Sequence, residues 1–76
     1  MFRMRMVFLY STPIRDALAL MEKHGASIAG WISSGSSGGN PEFFLDFDTK
    51  ESAVALWKEM NPDDEDELIL ENIEAL

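Results

Sequence analysis

The sequence predicts an α+β fold whose elements follow the order β-α-β-β-α-β. Two observations support this order: apolar residues alternate with period two in three segments, and two intervening segments have helical periodicity with capping residues at their ends. The order predicts the ferredoxin-like arrangement, a four-stranded antiparallel sheet with two helices on one face and sequence strands one and three at its centre. The 76 residues are predicted to form a single domain, residues 1–76, because so short a chain cannot bury two cores.

Three strands are predicted from the alternation of apolar side chains, over residues 4–10, 27–32 and 42–48. A fourth strand is predicted over residues 68–73, where helix is the competing prediction because glutamate, leucine and alanine also favour helices. In the first strand the even-numbered apolar residues are expected to face the helices. The odd-numbered residues are then expected on the opposite, open face of the sheet.

The two helices are predicted from their capping residues and from apolar stripes with a period near 3.6 residues. The first is expected to have Pro13 as its first helical residue, behind a hydroxyl cap, and to end at Gly25 in a left-handed conformation. The second is expected to be capped by Asp48, with Glu51 completing a capping box. The residues expected to pack on the sheet are Ile14, Ala17, Leu18, Met21, Ala53, Val54, Trp57 and Met60.

Residues 33–41 have the sequence SSGSSGGNP, which raises the question of a phosphate-binding loop. Such a loop needs a lysine followed by serine or threonine at the start of a helix, whereas a predicted strand follows here. The segment is therefore predicted to connect the second and third strands as a hairpin loop, with glycines at positions of positive φ. Contact of this loop with a ligand or partner is the alternative.

The chain has a net charge of −8, and the charge is unevenly distributed. Residues 1–38 carry four cations and two anions, whereas residues 39–76 carry two cations and twelve anions. An acidic surface repels nucleic-acid phosphates and anionic lipids, so we expect no direct binding to nucleic acid or membrane and favour a protein partner of basic character. The residues predicted to form an acidic partner surface are Asp63, Asp64, Glu65, Asp66, Glu67 and Glu71.

The residue pattern does not indicate catalysis, a cofactor or a metal. The sequence has no cysteine, and its one histidine, His24, occupies a position where a helix C-terminus favours a cation. Asp46 and Asp48 share a face of the third strand, but the spacing fixes no third ligand. We expect a protein that is not an enzyme. A cytoplasmic location is expected because the sequence has neither a signal-peptide pattern nor an apolar segment of about 20 residues.

The open face of the sheet is the predicted interaction surface, since it combines a central apolar cluster with flanking charges. The residues predicted to form it are Arg5, Val7, Leu9, Trp31, Phe44 and Asp46. This surface predicts a small protein–protein interaction module that forms a homodimer or binds another protein.

Two alternative functions stay open. One is an acidic inhibitor or nucleic-acid mimic, whose carboxylates occupy the basic groove of a nucleic-acid-binding protein. The other is a small anion- or metabolite-binding domain that uses the helix N-terminus following Tyr10, with Arg15 nearby.

Overall fold

The computed structural model describes residues 1–8, 12–32 and 40–76. The elements in chain order are β1 (Phe2–Val7), α1 (Ile14–Lys23), β2 (Ser27–Ile32), β3 (Glu42–Phe47), α2 (Lys50–Met60), α3 (Asp66–Glu71) and β4 (Ile73–Ala75). The strands form one antiparallel sheet in the order β2-β3-β1-β4. The predicted ferredoxin-like α+β fold is confirmed, including the central position of β1 and β3. The predicted hairpin loop lies largely outside the described residues, which omit 33–39.

The pairing of β1 with β3 builds the core. Its register runs from Phe2 opposite Phe47 to Val7 opposite Glu42. Opposed residues share a face, so the even-numbered residues of β1 and the odd-numbered residues of β3 point together toward the helices, as predicted. The buried residues are Met4, Met6, Phe8, Ala17, Met21, Phe43, Leu45, Phe47, Ala53, Leu56 and Ile69. They form one cluster, which places all three helices on the same side of the sheet.

Helix α1 ends in a Schellman motif. The N–H of Ala26 donates to the carbonyl of Met21 (2.8 Å), and the N–H of Gly25 donates to the carbonyl of Glu22 (3.1 Å). Gly25 has φ +70°, so the predicted left-handed position of this glycine is confirmed. The motif satisfies carbonyl groups that the helix itself leaves without partners, and it turns the chain directly into β2.

Both helix starts differ by one residue from the prediction. Pro13 is the N-cap of α1 and not its first helical residue: its carbonyl accepts hydrogen bonds from the N–H groups of Asp16 and Ala17, at 3.0 and 3.1 Å. In α2 the cap is Thr49 and not Asp48, because Thr49 Oγ1 accepts from the N–H of Ser52 (3.2 Å). Thr49 thus caps α2 with its side chain, whereas Pro13 contributes only its backbone carbonyl to α1.

The apolar stripes of α1 and α2 are also partly different from the prediction. In α1 only Ala17 and Met21 are buried, whereas Ile14 and Leu18 are 59% and 45% exposed. In α2 the buried positions include Leu56, which was not among the predicted core residues. Helix α1 therefore covers less of the sheet than its stripe indicates.

The predicted strand at residues 68–73 was wrong, because α3 occupies most of this segment and β4 is a three-residue strand that follows it. Asp66 and Glu67 lie in the first turn of α3, where negative charge stabilises the positive end of the helix dipole. Ile69 is fully buried, while Leu68 and Leu70 are exposed. The helix thus buries one large side chain. No helix among the described residues has the length and apolar character needed to cross a bilayer.

We predict that Gly25→Ala lowers the free energy of unfolding by about 1 kcal/mol, since a residue with a Cβ atom is strained in the left-handed region. The matched control is Gly30→Ala. A Cβ at Gly30 meets Phe44 Cδ2 at 3.8 Å, an ordinary contact, so its effect is expected to stay within about 0.5 kcal/mol. Urea unfolding of both variants measures the difference, and equal stabilities would contradict the assigned cap.

We predict that Ile69→Ala lowers the free energy of unfolding by about 3 kcal/mol, because it leaves a cavity beneath α3. Leu70→Ala is the control, since Leu70 is 41% exposed and its truncation is expected to cost less than about 1 kcal/mol. If this segment were instead a strand whose even-numbered residues faced the core, urea unfolding would show a larger loss of stability for Leu70→Ala than for Ile69→Ala.

Candidate functional site

The open face of the central strands β1 and β3 carries two cross-strand ion pairs. Arg3 lies opposite Asp46 and binds it through two contacts, Nε to Oδ1 at 2.7 Å and Nη2 to Oδ2 at 3.0 Å. Arg5 Nε lies 3.2 Å from Glu42 Oε1. Phe44, opposite Arg5, is half-buried between them. Arg5, Val7, Phe44 and Asp46 therefore lie on the open face as predicted, but this face is more charged than the predicted apolar cluster.

The ion pair between Arg3 and Asp46 alters the ionisation of both side chains. The hydrogen bonds from Arg3 hold the pKa of Asp46 below its usual value of 3.8, and the Asp46 carboxylate raises the pKa of Arg3. The Asp46 side chain is only 16% exposed. The pair fixes the charge at the middle of the sheet and holds the β1–β3 register from the open side.

Trp31 lies on the helix-facing side of the sheet, so its predicted position on the open face was wrong. The register of β2 against β3 shifts between Ile28, which opposes Leu45, and Gly30, which opposes Phe44. This bulge inserts one extra residue into β2, so each later residue of the strand points to the face opposite to the one that regular alternation predicts. Trp31 then opposes Phe43 and stacks on its ring, with centroids 6.4 Å apart and an angle of 26° between the planes.

Strand β2 presents three large apolar side chains to solvent. Trp31 is 60% exposed, Ile28 is 46% exposed and Ile32 is 45% exposed. Ile28 and Trp31 lie on the helix-facing side, whereas Ile32 opposes Glu42 and lies on the open side. We call these three residues the β2 surface. Helix α1 also exposes apolar side chains, since Ile14 and Leu18 are four residues apart and share one helix face.

The position of β2 makes this surface accessible from the side of the sheet. β2 is an edge strand that pairs only with β3 among the described residues. Edge strands usually carry charged side chains or proline, which discourage pairing with another chain. The sequence of β2, SIAGWI, contains neither. Leu68 and Leu70 are also exposed, but they lie on α3 among acidic residues.

The predicted acidic partner surface is divided, and part of it is used inside the protein. Trp57 Nε1–H donates to Asp64 Oδ2 at 2.8 Å, which leaves Asp64 partly buried. Asp66 forms an ion pair with Lys58 on α2. The exposed carboxylates of the run are those of Asp63, Glu65, Asp66 and Glu67.

Glu71, the remaining residue of the predicted acidic surface, ends α3 and lines a groove of about 230 Å³ on the open face. Glu74 is the β4 residue opposite Arg3. The groove residues are Arg3, Arg5, Phe44, Glu71, Asn72, Ile73 and Glu74. Its volume is below the range of about 300 to 1,000 Å³ that is typical of ligand pockets. Its mixture of arginine and glutamate selects neither an anion nor a cation.

His24 joins the ends of two helices. Its Nε2 contacts Glu59 Oε2, and Lys23 Nζ lies 2.8 Å from Glu59 Oε1. These hydrogen bonds, that of Lys23 first and that of His24 second, lower the pKa of Glu59. The contacts tie the C-terminus of α1 to α2 and give His24 a structural role.

Some predicted features lie outside the described residues, and others have no geometry there that indicates a ligand. Leu9, Tyr10 and Ser11 belong to the first group, so the predicted interface residue Leu9 and the first half of the predicted anion-binding turn lie outside the described residues. Within residues 1–8, 12–32 and 40–76, no group of three or more histidine and acidic side chains is arranged to hold a metal ion. The chain matches no family model, no curated protein and no solved structure.

We predict that Asp46→Asn flattens the dependence of stability on pH below about 4. Because folding lowers the pKa of Asp46, the unfolded chain binds the proton more readily, and stability falls as the pH drops from the usual value of 3.8 through the lower folded value. The variant lacks this contribution. Thermal unfolding from pH 6 to pH 2 measures the slope.

The control for this experiment is Asp63→Asn, since Asp63 is exposed and makes no ion pair with another described residue. Its pH profile is expected to follow that of the wild type. Parallel profiles for all three proteins would contradict the role assigned to the pair of Arg3 and Asp46.

Proposed function

We propose that the protein is a small, non-enzymatic protein–protein interaction module whose contact area is centred on the β2 surface. The observation that supports this is the exposure of Trp31 on an uncharged edge strand, with Ile28 and Ile32 beside it. Tryptophan is enriched at the energetic centre of protein interfaces, because its large ring gains much from leaving water. Trp31 already rests on Phe43, so little conformational entropy is lost when a partner covers it.

The open face meets this contact area at Ile32, which opposes Glu42, and supplies its polar border on that side. Arg5, Val7, Phe44 and Asp46 stay proposed interface residues, with the ion-paired charges at the periphery. Removing an ion pair from water is unfavourable, so paired charges suit a solvated rim better than a buried centre. The apolar centre therefore moves from the middle of the sheet, where the prediction placed it, to the β2 side.

The net charge of −8 favours a partner with a basic surface around an apolar patch. Long-range attraction of this kind mainly raises the rate of association and is screened by salt. The acidic-mimic alternative is supported by the exposed carboxylates of Asp63, Glu65 and Glu67. The two hypotheses differ in salt dependence, because apolar contacts tolerate salt and a carboxylate-based contact does not.

We predict that Trp31→Ala weakens binding to the partner by about 30-fold, the equivalent of about 2 kcal/mol for loss of a central aromatic residue. The partner is identified by capture on the immobilised wild-type protein and by mass spectrometry, and is then measured as a purified protein by calorimetry. Leu68→Ala is the control, since Leu68 is 45% exposed on α3, and a change below about 3-fold is expected.

Two results would contradict the proposal. Equal affinities for wild type and Trp31→Ala would remove the β2 surface from the interface. A loss of affinity by more than about 100-fold between 0.1 and 0.5 M salt would instead favour the acidic mimic.

A further inference from the structure

We propose that β2 pairs in antiparallel fashion with β2 of a second copy of the chain, joining two four-stranded sheets into one sheet of eight strands. This inference rests on the proposed function, since it names a partner for the same surface. An antiparallel pair of identical strands is related by a two-fold axis, so each copy offers the same contacts to the other.

The two edges of the sheet differ in their capacity to pair. β4 has three residues, Ile73–Ala75, and is flanked by the acidic Glu71 and contains Glu74. β2 has six residues without a charged side chain or a proline. Short length and charge both discourage edge pairing; β4 has both, whereas β2 has neither, and its one irregularity is the bulge between Ile28 and Gly30.

Because of the bulge, the side chains of β2 point to the same succession of faces whether the strand is followed forward or backward. Ser27 and Ile32, the two ends of the strand, both lie on the open side, while Ile28 and Trp31 both lie on the helix side. In the antiparallel register that opposes all six residues, Ile28 faces Trp31 of the second copy and Ser27 faces Ile32. Residues opposed in this way must share a face, and here they do. An aromatic and a β-branched side chain form a favourable cross-strand pair.

The distribution of charge admits a second copy on this side of the molecule. Two chains with a net charge of −8 repel each other, and twelve of the fourteen carboxylates lie from residue 39 onward. β2 carries no charge, and α1 carries two cations and two anions. The β2 edge is thus the neutral side of an acidic protein, where the approach of a like-charged copy is least opposed.

Sedimentation equilibrium tests the proposal, over protein concentrations from about 10 to about 500 µM. The weight-average mass is expected to rise from 8.6 kDa toward twice that value. Added salt is expected to strengthen the association, because it screens the repulsion between the acidic copies. Salt dependence of this sign separates self-pairing from the binding of a basic partner.

Three charged variants locate the contact. Trp31→Lys and Ile32→Lys each replace an apolar side chain of the paired strand by an ammonium group that must lose hydration on pairing. Either is expected to shift the midpoint of dimerisation at least 10-fold higher, about 1.4 kcal/mol. Both positions are exposed, and circular dichroism with thermal unfolding verifies that each variant is folded. Leu70→Lys is the control, since Leu70 is 41% exposed at a distance from β2, on α3, and its dimerisation is expected to be unchanged.

A mass of 8.6 kDa at every concentration would overturn the proposal, as would a dimer that Trp31→Lys and Ile32→Lys leave intact. If the protein is a monomer and Trp31→Ala abolishes binding of the captured partner, a different protein occupies the β2 edge. The proposed function would then stand, and self-pairing would fail. A dimer broken by the β2 variants, combined with partner binding that ignores Trp31, would support self-pairing and overturn binding of another protein through this surface.

Discussion

The antiparallel pairing of β1 with β3 is the contact on which the rest of the structure depends. One register opposes Met4 with Leu45 in the core and Arg3 with Asp46 on the open face. A slip by one residue would carry buried side chains into solvent and separate both ion pairs. The core therefore specifies the register from one side and the charged side chains specify it from the other. This specification from both faces explains why a sheet of short strands still has one defined register.

The β2 strand is less constrained, and its chemistry is different. Within residues 1–8, 12–32 and 40–76 it pairs with β3 alone, and α1 buries only Ala17 and Met21 toward the core. Apolar side chains that a wider helix layer would cover are left at the surface. The bulge then places Trp31 beside Ile28 instead of across the sheet from it. The same departure from regular pairing places Trp31, the most exposed aromatic residue in the described part of the chain, on the helix-facing side of a neutral edge instead of on the charged open face.

The sequence was sufficient for features that depend on local pattern. Alternation in β1 and β3 predicted which side chains are buried, and Gly25 marked the end of α1. It was insufficient where two outcomes have the same local pattern. Residues 68–73 are compatible with helix or strand, and the choice depends on the core site that Ile69 fills. The bulge leaves no trace in an alternation of six residues, so Trp31 was assigned to the wrong face. The exposure of Ile14 and Leu18 depends on how much of α1 the sheet covers, which the periodicity of a helix does not specify.

The central position of β1 has a consequence for how the protein acquires its fold. β1 is the first element of the chain, yet its neighbours in the sheet are β3 and β4, which begin 40 and 71 residues after Phe2. Both pairings are remote in sequence, so the entropy of closing long loops must be overcome before β1 gains any stability from the sheet. During synthesis Met4, Met6 and Phe8 are made well before the residues of β3 and β4 that pair with this strand. β1, which is covered on both edges in the folded sheet, is thus the strand most exposed to non-native contacts during folding.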